Sequence, residues 1–200
     1  PFYHVVKRLF DIVASACALI LLSPLFLFLV IKIRSEDGGP AFYSQERIGK
    51  NEKPFKMWKF RSMVVNADKM LDELEDQNEI NGAMFKIKDD PRITRIGHMI
   101  RKYSLDELPQ LYNVLIGDMS LVGPRPPLPS EVAEYTNYDK QRLLVMPGCT
   151  GLWQVTRRNE ADFDEMVWLD IVYINHSSLW EDFKLIIKTV LVMIHPNGAY

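Results

Sequence analysis

The run Ile12–Ile31, I-V-A-S-A-C-A-L-I-L-L-S-P-L-F-L-F-L-V-I, carries no charge, and the arrangement of the whole chain turns on how it is read. As a straight helix it would reach roughly 30 Å, enough to cross a bilayer core. A cleaved signal peptide is rejected, because Lys32, Ile33, Arg34 and an acidic pair follow where small residues should stand. A buried core helix rarely runs this long without a charge. The segment is therefore expected to be membrane-embedded. Two features set a re-entrant path against a simple span. Ser23-Pro24 interrupts the run at its middle, where proline removes a backbone hydrogen bond and invites a break. Lys7 and Arg8 precede the run and Lys32 and Arg34 follow it, so the positive-inside rule suits both ends on the cytoplasmic side. Neither path is decided by these residues alone.

Outward from this run, charge is uneven. Pro1–Ser62 holds ten Lys/Arg against five Asp/Glu, while Met63–Asp90 holds three against eight. The basic excess beside the apolar run suits a surface facing anionic headgroups, with Lys7 and Arg8 as the contacts. A net charge of -2 argues against nucleic-acid binding. Two hundred residues make one ordinary domain, and a start at Pro1 suggests a piece of a longer protein. Cys17 and Cys149 form no motif, and no Cys/His metal cluster is present in the sequence.

The chemistry-bearing stretch is Arg101–Leu111, R-K-Y-S-L-D-E-L-P-Q-L. Two adjacent carboxylates, Asp106 and Glu107, stand at what reads as a helix mouth, where partial positive charge attracts phosphates and favours ionised carboxylates. An aspartate there can hold a divalent metal and attack phosphorus, a glutamate can move a proton, and an arginine one turn away can clamp a phosphate. The structural alternative is a capping box, Ser104-x-x-Glu107, with Asp106 an ordinary first-turn acid. Pro109 leaves the helix start ambiguous: it fits a helix begun near Asp106 better than one capped by Ser104.

Ala41–Ile48 and Phe55–Met63 read as strands of a hairpin around the turn Gly49–Pro54. Lys56, Lys59 and Arg61 are either a solvated strand edge or a basic wall facing phosphates. Val64–Gln77 reads as an amphipathic helix, Thr94–Lys102 as a short helix with Ile96, Met99 and Ile100 inward, and Tyr135–Val145 and Phe163–Ile174 as further helices. Asp118–Pro129 is too proline-rich for regular structure; it is a rigid connector or a stiff mount for Arg125. Met146–Asn159 reads as a turn and short strand ending in the basic pair Arg157 and Arg158. Ser178 and Glu181 box a last helix, Leu179–Ile194, whose stripe Trp180, Phe183, Ile187, Val190, Leu191, Ile194 is expected in the core, with a bilayer surface as the second reading.

Several segments, in order, resemble one family: K-R-L-F-D (Lys7–Asp11), the run broken at Ser23-Pro24, Q-E-R-I-G (Gln45–Gly49), K-F-R-S-M (Lys59–Met63), R-K-Y-S-L-D-E-L-P-Q-L-Y-N-V-L (Arg101–Leu115), G-D-M-S-L-V-G-P-R-P (Gly117–Pro126) and P-G-C-T-G-L-W-Q-V (Pro147–Val155). The chain resembles the bacterial sugar transferases, the monotopic phosphoglycosyl transferases. The resemblance implies a mainly helical α+β fold. A Pro-broken re-entrant membrane helix (1–34, break at Ser23 and Pro24), interfacial helices and a small cytoplasm-facing catalytic domain with a short hairpin (35–200) would compose it. It implies transfer of a sugar 1-phosphate from a UDP-sugar to polyprenyl (undecaprenyl) phosphate at the bacterial inner membrane, with release of UMP through a phosphosugar-aspartyl intermediate. Asp106 and Glu107 would be catalytic, Asp106 also binding Mg²⁺; Arg101, helped by Lys59, Arg61, Arg125, Arg157 and Arg158, would hold phosphates. Membrane lipid and a second copy in a homodimer are further expected partners. The segment after Pro147 departs from the expected pattern at Cys149 and Leu152-Trp153, which bears on sugar choice rather than on the chemistry. A glycosidase is a poorer fit, since its carboxylates must flank a bond roughly 5 Å or more apart. A non-catalytic membrane-anchored scaffold is the alternative from another class.

Overall fold

The uncharged run folds as two helices, α1 (Phe2–Leu21) and α2 (Ser23–Asp37), bent by 60° at the Ser-Pro step. Pro24 has no N–H to offer the carbonyl of Ile20 four residues back. The Ser23 hydroxyl donates to that same oxygen at 2.7 Å, so the serine restores the bond that the proline removes. Among the described residues no single helix is long and apolar enough to cross a membrane, whereas this bent pair meets the criterion jointly. The computed structural model describes residues 2–67, 69–70, 90–157 and 162–194. Much of the expected Val64–Gln77 helix lies outside them, as does Arg158; of its described part, residues 65–67 and 69–70 are turn.

After α2 come β1 (Phe42–Ile48) and β2 (Pro54–Phe60), the expected hairpin, paired antiparallel from Phe42↔Phe60 to Ile48↔Pro54. Asn51 and Glu52 turn the chain with φ of 57° and 59°. Helix α3 (Arg95–Lys102) follows, capped by Thr94, whose hydroxyl accepts from Gly97 N. Next are α4 (Gln110–Ile116), β3 (Ser120–Val122), α5 (Pro129–Ala133), β4 (Gly148–Thr150), α6 (Leu152–Thr156), α7 (Phe163–His176) and α8 (Leu179–Ile194). Strands β3 and β4 pair in parallel, giving two small sheets among the described residues of a mostly helical α+β chain. Two expectations shift in detail. Tyr135–Val145 contains a 3₁₀ turn (Asp139–Leu144) instead of an α-helix, and the segment after β4 is helical.

The second half of the bent pair belongs to the core. Leu29 and Ile33 of α2 are buried with Ala41, Phe60 and Ile100, each large apolar side chain contributing roughly 1.5–3 kcal/mol. A second cluster joins Met57, Val114 and Met119; a third joins Val122, Tyr173 and Leu185. Polar ties fix α1 to the same body. Buried Asp11 accepts from Ser120 Oγ (2.7 Å) and Leu121 N (3.1 Å). Arg8 donates to the carbonyls of Val114 (2.6 Å) and Leu115 (2.9 Å) in the last turn of α4. Lys7 pairs with buried Asp182 at 2.7 Å, which also accepts from Tyr3 and Tyr173. Lys7 and Arg8, expected at lipid headgroups, thus bind the protein's own acid and carbonyls. The α8 stripe also departs from its expected place. Asp182 and Leu185 face inward, while Trp180 is 65% exposed and Ile194 60%. The helix buries its narrower face against β3 and α7, leaving the broad apolar one outward; Ile20, Leu21 and Leu27 of the bent pair are exposed as well.

Candidate active site

Asp106 and Glu107 lie in a 3₁₀ turn, Leu105–Glu107, inserted between α3 and α4. Ser104, just before it, has φ +54° and caps nothing with its side chain, so the capping box does not form. Pro109 stands at the N-cap of α4, where its missing N–H is harmless. The helix therefore starts later than either sequence reading placed it, and the two acids project from a tight turn rather than from its first turn.

Two elements bring cations to this turn. Lys59, on β2, reaches Glu107 at 3.1 Å. Its strand is held to α4 by Asn113, which is fully buried: Trp58 N donates to its Oδ1 (3.0 Å), and its Nδ2 donates to Lys56 O (2.7 Å). The asparagine amide thus satisfies the outer edge of β2 as a neighbouring strand's peptide would. Arg125 rides on the proline-rich segment, whose prolines have no N–H to bury. Successive carbonyls are each claimed from outside: Pro124 by Gly148 N (2.8 Å), Arg125 by Arg142 Nη2 (3.3 Å), Pro126 by Arg47 Nη1 (3.0 Å), Pro127 by Ile48 N (2.9 Å). The segment is a rigid mount, with the Arg125 side chain left over.

The electrostatics follow from this crowding. Burial and the neighbouring Glu107 charge push the Asp106 carboxyl up to about 6, with Lys59 and Arg101 only partly offsetting them. This reverses the expectation from a helix mouth, because burial and the adjacent Glu107 charge outweigh the cations that favour the ionised form. Burial also works to raise Glu107, but Lys59, Arg125 and Arg47 outweigh it and hold that carboxyl below its usual range. Arg47, buried and beside Arg125, is itself lowered to about 10. Against two carboxylates the site therefore sets Lys59, Arg47, Arg101 and Arg125, a surplus of positive charge suited to an anionic substrate. Such a dyad can attack a phosphorus centre and move a proton while the guanidinium forks hold phosphate oxygens.

Of the residues singled out from sequence, the structure gathers Asp106, Glu107, Lys59, Arg101 and Arg125. Arg61 is engaged elsewhere: a fork onto Asp37 with bonds to the Pro40 and Met63 carbonyls. Arg157 pairs with Glu165 at 3.1 Å. Arg47 and Asn113 escaped the sequence reading; a polar residue inside the apolar helix Y-N-V-L and a basic one inside a strand were the available signals. Cys149 packs beside Met57, Val114 and Met119, and burial together with the Glu107 charge pushes its thiol up.

Comparison with known proteins now adds to the geometry. The family described as bacterial sugar transferase matches residues 2–196, and the chain belongs to that family. It is 50% identical over 196 residues to the galactosyl transferase CpsE of Streptococcus agalactiae serotype III, covering 98% of this chain and 43% of that protein. It is 48% identical over 198 residues to the undecaprenyl-phosphate galactose phosphotransferase of Salmonella typhimurium, covering 97% and 41%. The exopolysaccharide production protein ExoY of Rhizobium meliloti is 40% identical over 204 residues, covering 100% of this chain and 90% of that protein. The chain thus spans about two fifths of the length of the first two relatives.

Proposed function

We propose that this chain carries the catalytic machinery of a phosphoglycosyl transferase, moving a sugar 1-phosphate from a UDP-sugar to undecaprenyl phosphate. The observation that carries this reading is the Asp106–Glu107 dyad set among Lys59, Arg47, Arg101 and Arg125. Relatives named as undecaprenyl-phosphate galactose and UDP-glucose:undecaprenyl-phosphate glucose-1-phosphate transferases support the substrate classes.

In this reading an Asp106 carboxylate oxygen attacks the sugar-bearing phosphorus. The bond to the bridging oxygen breaks, its electron pair leaving with UMP, and an aspartyl phosphosugar remains. An oxygen of undecaprenyl phosphate then attacks the same phosphorus, with Glu107 taking its proton. The aspartyl P–O bond breaks, and Asp106 is regenerated. Arg101 and Arg125 hold the phosphate oxygens through both displacements. Among the described residues no three His, Cys, Asp or Glu side chains cluster. The adjacent carboxylates Asp106 and Glu107 suit Mg²⁺, which takes one or two carboxylates and completes its shell with substrate phosphates and water. Asp106 would hold it, and once bound it neutralises charge on the leaving nucleotide.

The bent helix pair is read as re-entrant, with both flanks on the cytoplasmic side of the inner membrane and α8 lying in the interface. The 60° bend and the outward apolar faces of α1, α2 and α8 support this. A soluble donor and a lipid acceptor then reach one carboxylate. The test is UMP release from a panel of UDP-sugars with Mg²⁺, with and without undecaprenyl phosphate. Lipid-dependent release with one sugar is expected, plus a single-turnover burst without lipid that Asp106→Asn abolishes. Near-normal transfer by Asp106→Asn would overturn the nucleophile assignment. Silence across the panel from reconstituted, folded protein would favour the scaffold.

A further inference from the structure

The Arg101 side chain makes one hydrogen bond among the described residues: its Nε donates to Ser62 Oγ at 2.9 Å. Among those residues Nη1 and Nη2 take no hydrogen-bond partner, which leaves the fork that grips a phosphate or carboxylate bidentately. Ser62 is 8% exposed and fixed from both sides. On one side its carbonyl accepts from Thr94 N at 3.0 Å, and α3 lies so close that a Cβ on Gly97 would stand 2.0 Å from that oxygen. On the other, its neighbour Arg61 is 7% exposed and uses its fork on Asp37, both contacts at 2.6 Å. Asp37 is the last residue of α2. The residue before it, Glu36, accepts from Arg95 N (2.8 Å) and Ile96 N (3.2 Å) at the start of α3, the helix whose last turn carries Arg101. Two short paths therefore join the end of the bent apolar pair to one guanidinium.

We infer that Ser62, held by the Asp37–Arg61 fork, is a positioning residue that aims the Arg101 guanidinium at the site of the Asp106–Glu107 carboxylates. The inference rests on Arg101 being a phosphate clamp in the proposed reaction. An untethered arginine must lose side-chain freedom on binding, whereas one tied at Nε has already lost it. Arg61, expected from sequence to touch phosphate and here committed to Asp37, thereby acquires an indirect role at the site. The seat of the α2 terminus in the fold and the geometry of the anion site become one mechanical unit.

The test uses the full chain in bilayer nanodiscs with Ser62→Ala, Ser62→Thr, Arg61→Lys and Arg101→Ala. Three quantities are read: binding of inorganic pyrophosphate with Mg²⁺ by calorimetry, KM and kcat for UMP release from UDP-galactose and UDP-glucose, and Tm. Ser62→Ala is expected to weaken pyrophosphate and raise KM about tenfold, the effect of one lost charge-assisted bond. Its kcat and Tm should stay near wild type, Ser62→Thr should restore affinity, and Arg61→Lys should resemble Ser62→Ala. Ser62→Ala with wild-type affinity, or with a lowered Tm alone, would overturn the inference, as would wild-type protein that ignores pyrophosphate. Wild-type protein that binds pyrophosphate but releases no UMP from any UDP-sugar would count against the transferase reading. The comparison of Ser62→Ala with Arg101→Ala in pyrophosphate binding would then still decide the positioning role.

Discussion

At the scale of single residues, Asp106 is held against its own preference. Its carboxyl ordinarily titrates at 3.8 and is pushed up to about 6 by burial and by Glu107. A carboxyl with a raised folded pKa favours the fold only while protonated. Stability attributable to Asp106 is therefore lost as pH rises from about 3.8 through about 6, and the full cost stands above that window. Asp106→Asn removes the charge while keeping the shape. It should raise Tm by a few degrees at pH 7.5 while abolishing transfer, and the gain should vanish near pH 4. Calorimetric melts at both pH values check this; an equal shift at both would mean that the charge is not the cause. The same residue shows what sequence could and could not tell. D-E beside a basic pair placed two carboxylates and a cation close together, and the structure keeps Asp106 and Glu107 in one turn near Arg101 and Lys59. The left-handed Ser104 and the insertion of a separate turn were not legible, because S-x-x-E favours a capping box locally and only packing against β2 overrides it.

At the scale of elements, the Ser-Pro step makes the bend tolerable in apolar surroundings. If the bend lies in the bilayer as proposed, Ser23→Ala would leave the Ile20 carbonyl without its 2.7 Å donor and with no water to replace it, at a cost of roughly 1–3 kcal/mol. Guanidinium melts in detergent should show that loss, and Ser23→Thr should show almost none. The break was readable from sequence because proline acts through covalent geometry, which no context alters. The face that α8 buries was not. Trp180, Phe183, Ile187, Val190, Leu191 and Ile194 have the same periodicity whether they face protein or lipid, and only the inward tie of Asp182 to Lys7, Tyr3 and Tyr173 decides. If α8 lies in the interface, a nitroxide on Val190→Cys should be relaxed more by oxygen than by a water-soluble nickel chelate. One on Lys188→Cys, on the other flank, should show the reverse. Equal accessibility at the two positions would refute the interfacial placement.

At the scale of the whole molecule, the rigid mount for Arg125 depends on a charge pair that no sequence pattern announces, because its partners stand 28 positions apart with no shared periodicity. Arg142 and Asp170 of α7 are 3% and 1% exposed at the side chain and meet at 2.5 Å, while Arg142 also donates to Tyr135 Oη and to the Arg125 carbonyl. Burial pushes Asp170 up to about 6 even though Arg142 opposes the shift. Removing the arginine alone strands a buried carboxylate, which in comparable pairs costs about 3–5 kcal/mol. Arg142→Met should therefore lower unfolding free energy by that amount in urea at pH 8. Without the opposing cation the Asp170 carboxyl titrates higher still, so the deficit should shrink as pH falls toward 5, where the group protonates in the fold. Replacing both partners, Arg142→Met with Asp170→Leu, removes the stranded charge and should return most of the stability. It should not return donor affinity, because the Arg125 carbonyl has still lost its Nη2 donor and the proline-rich mount is loosened. A double variant that recovers both would separate Arg142 from the anion site; one that recovers only stability ties the packing of α7 to the arginine facing Glu107.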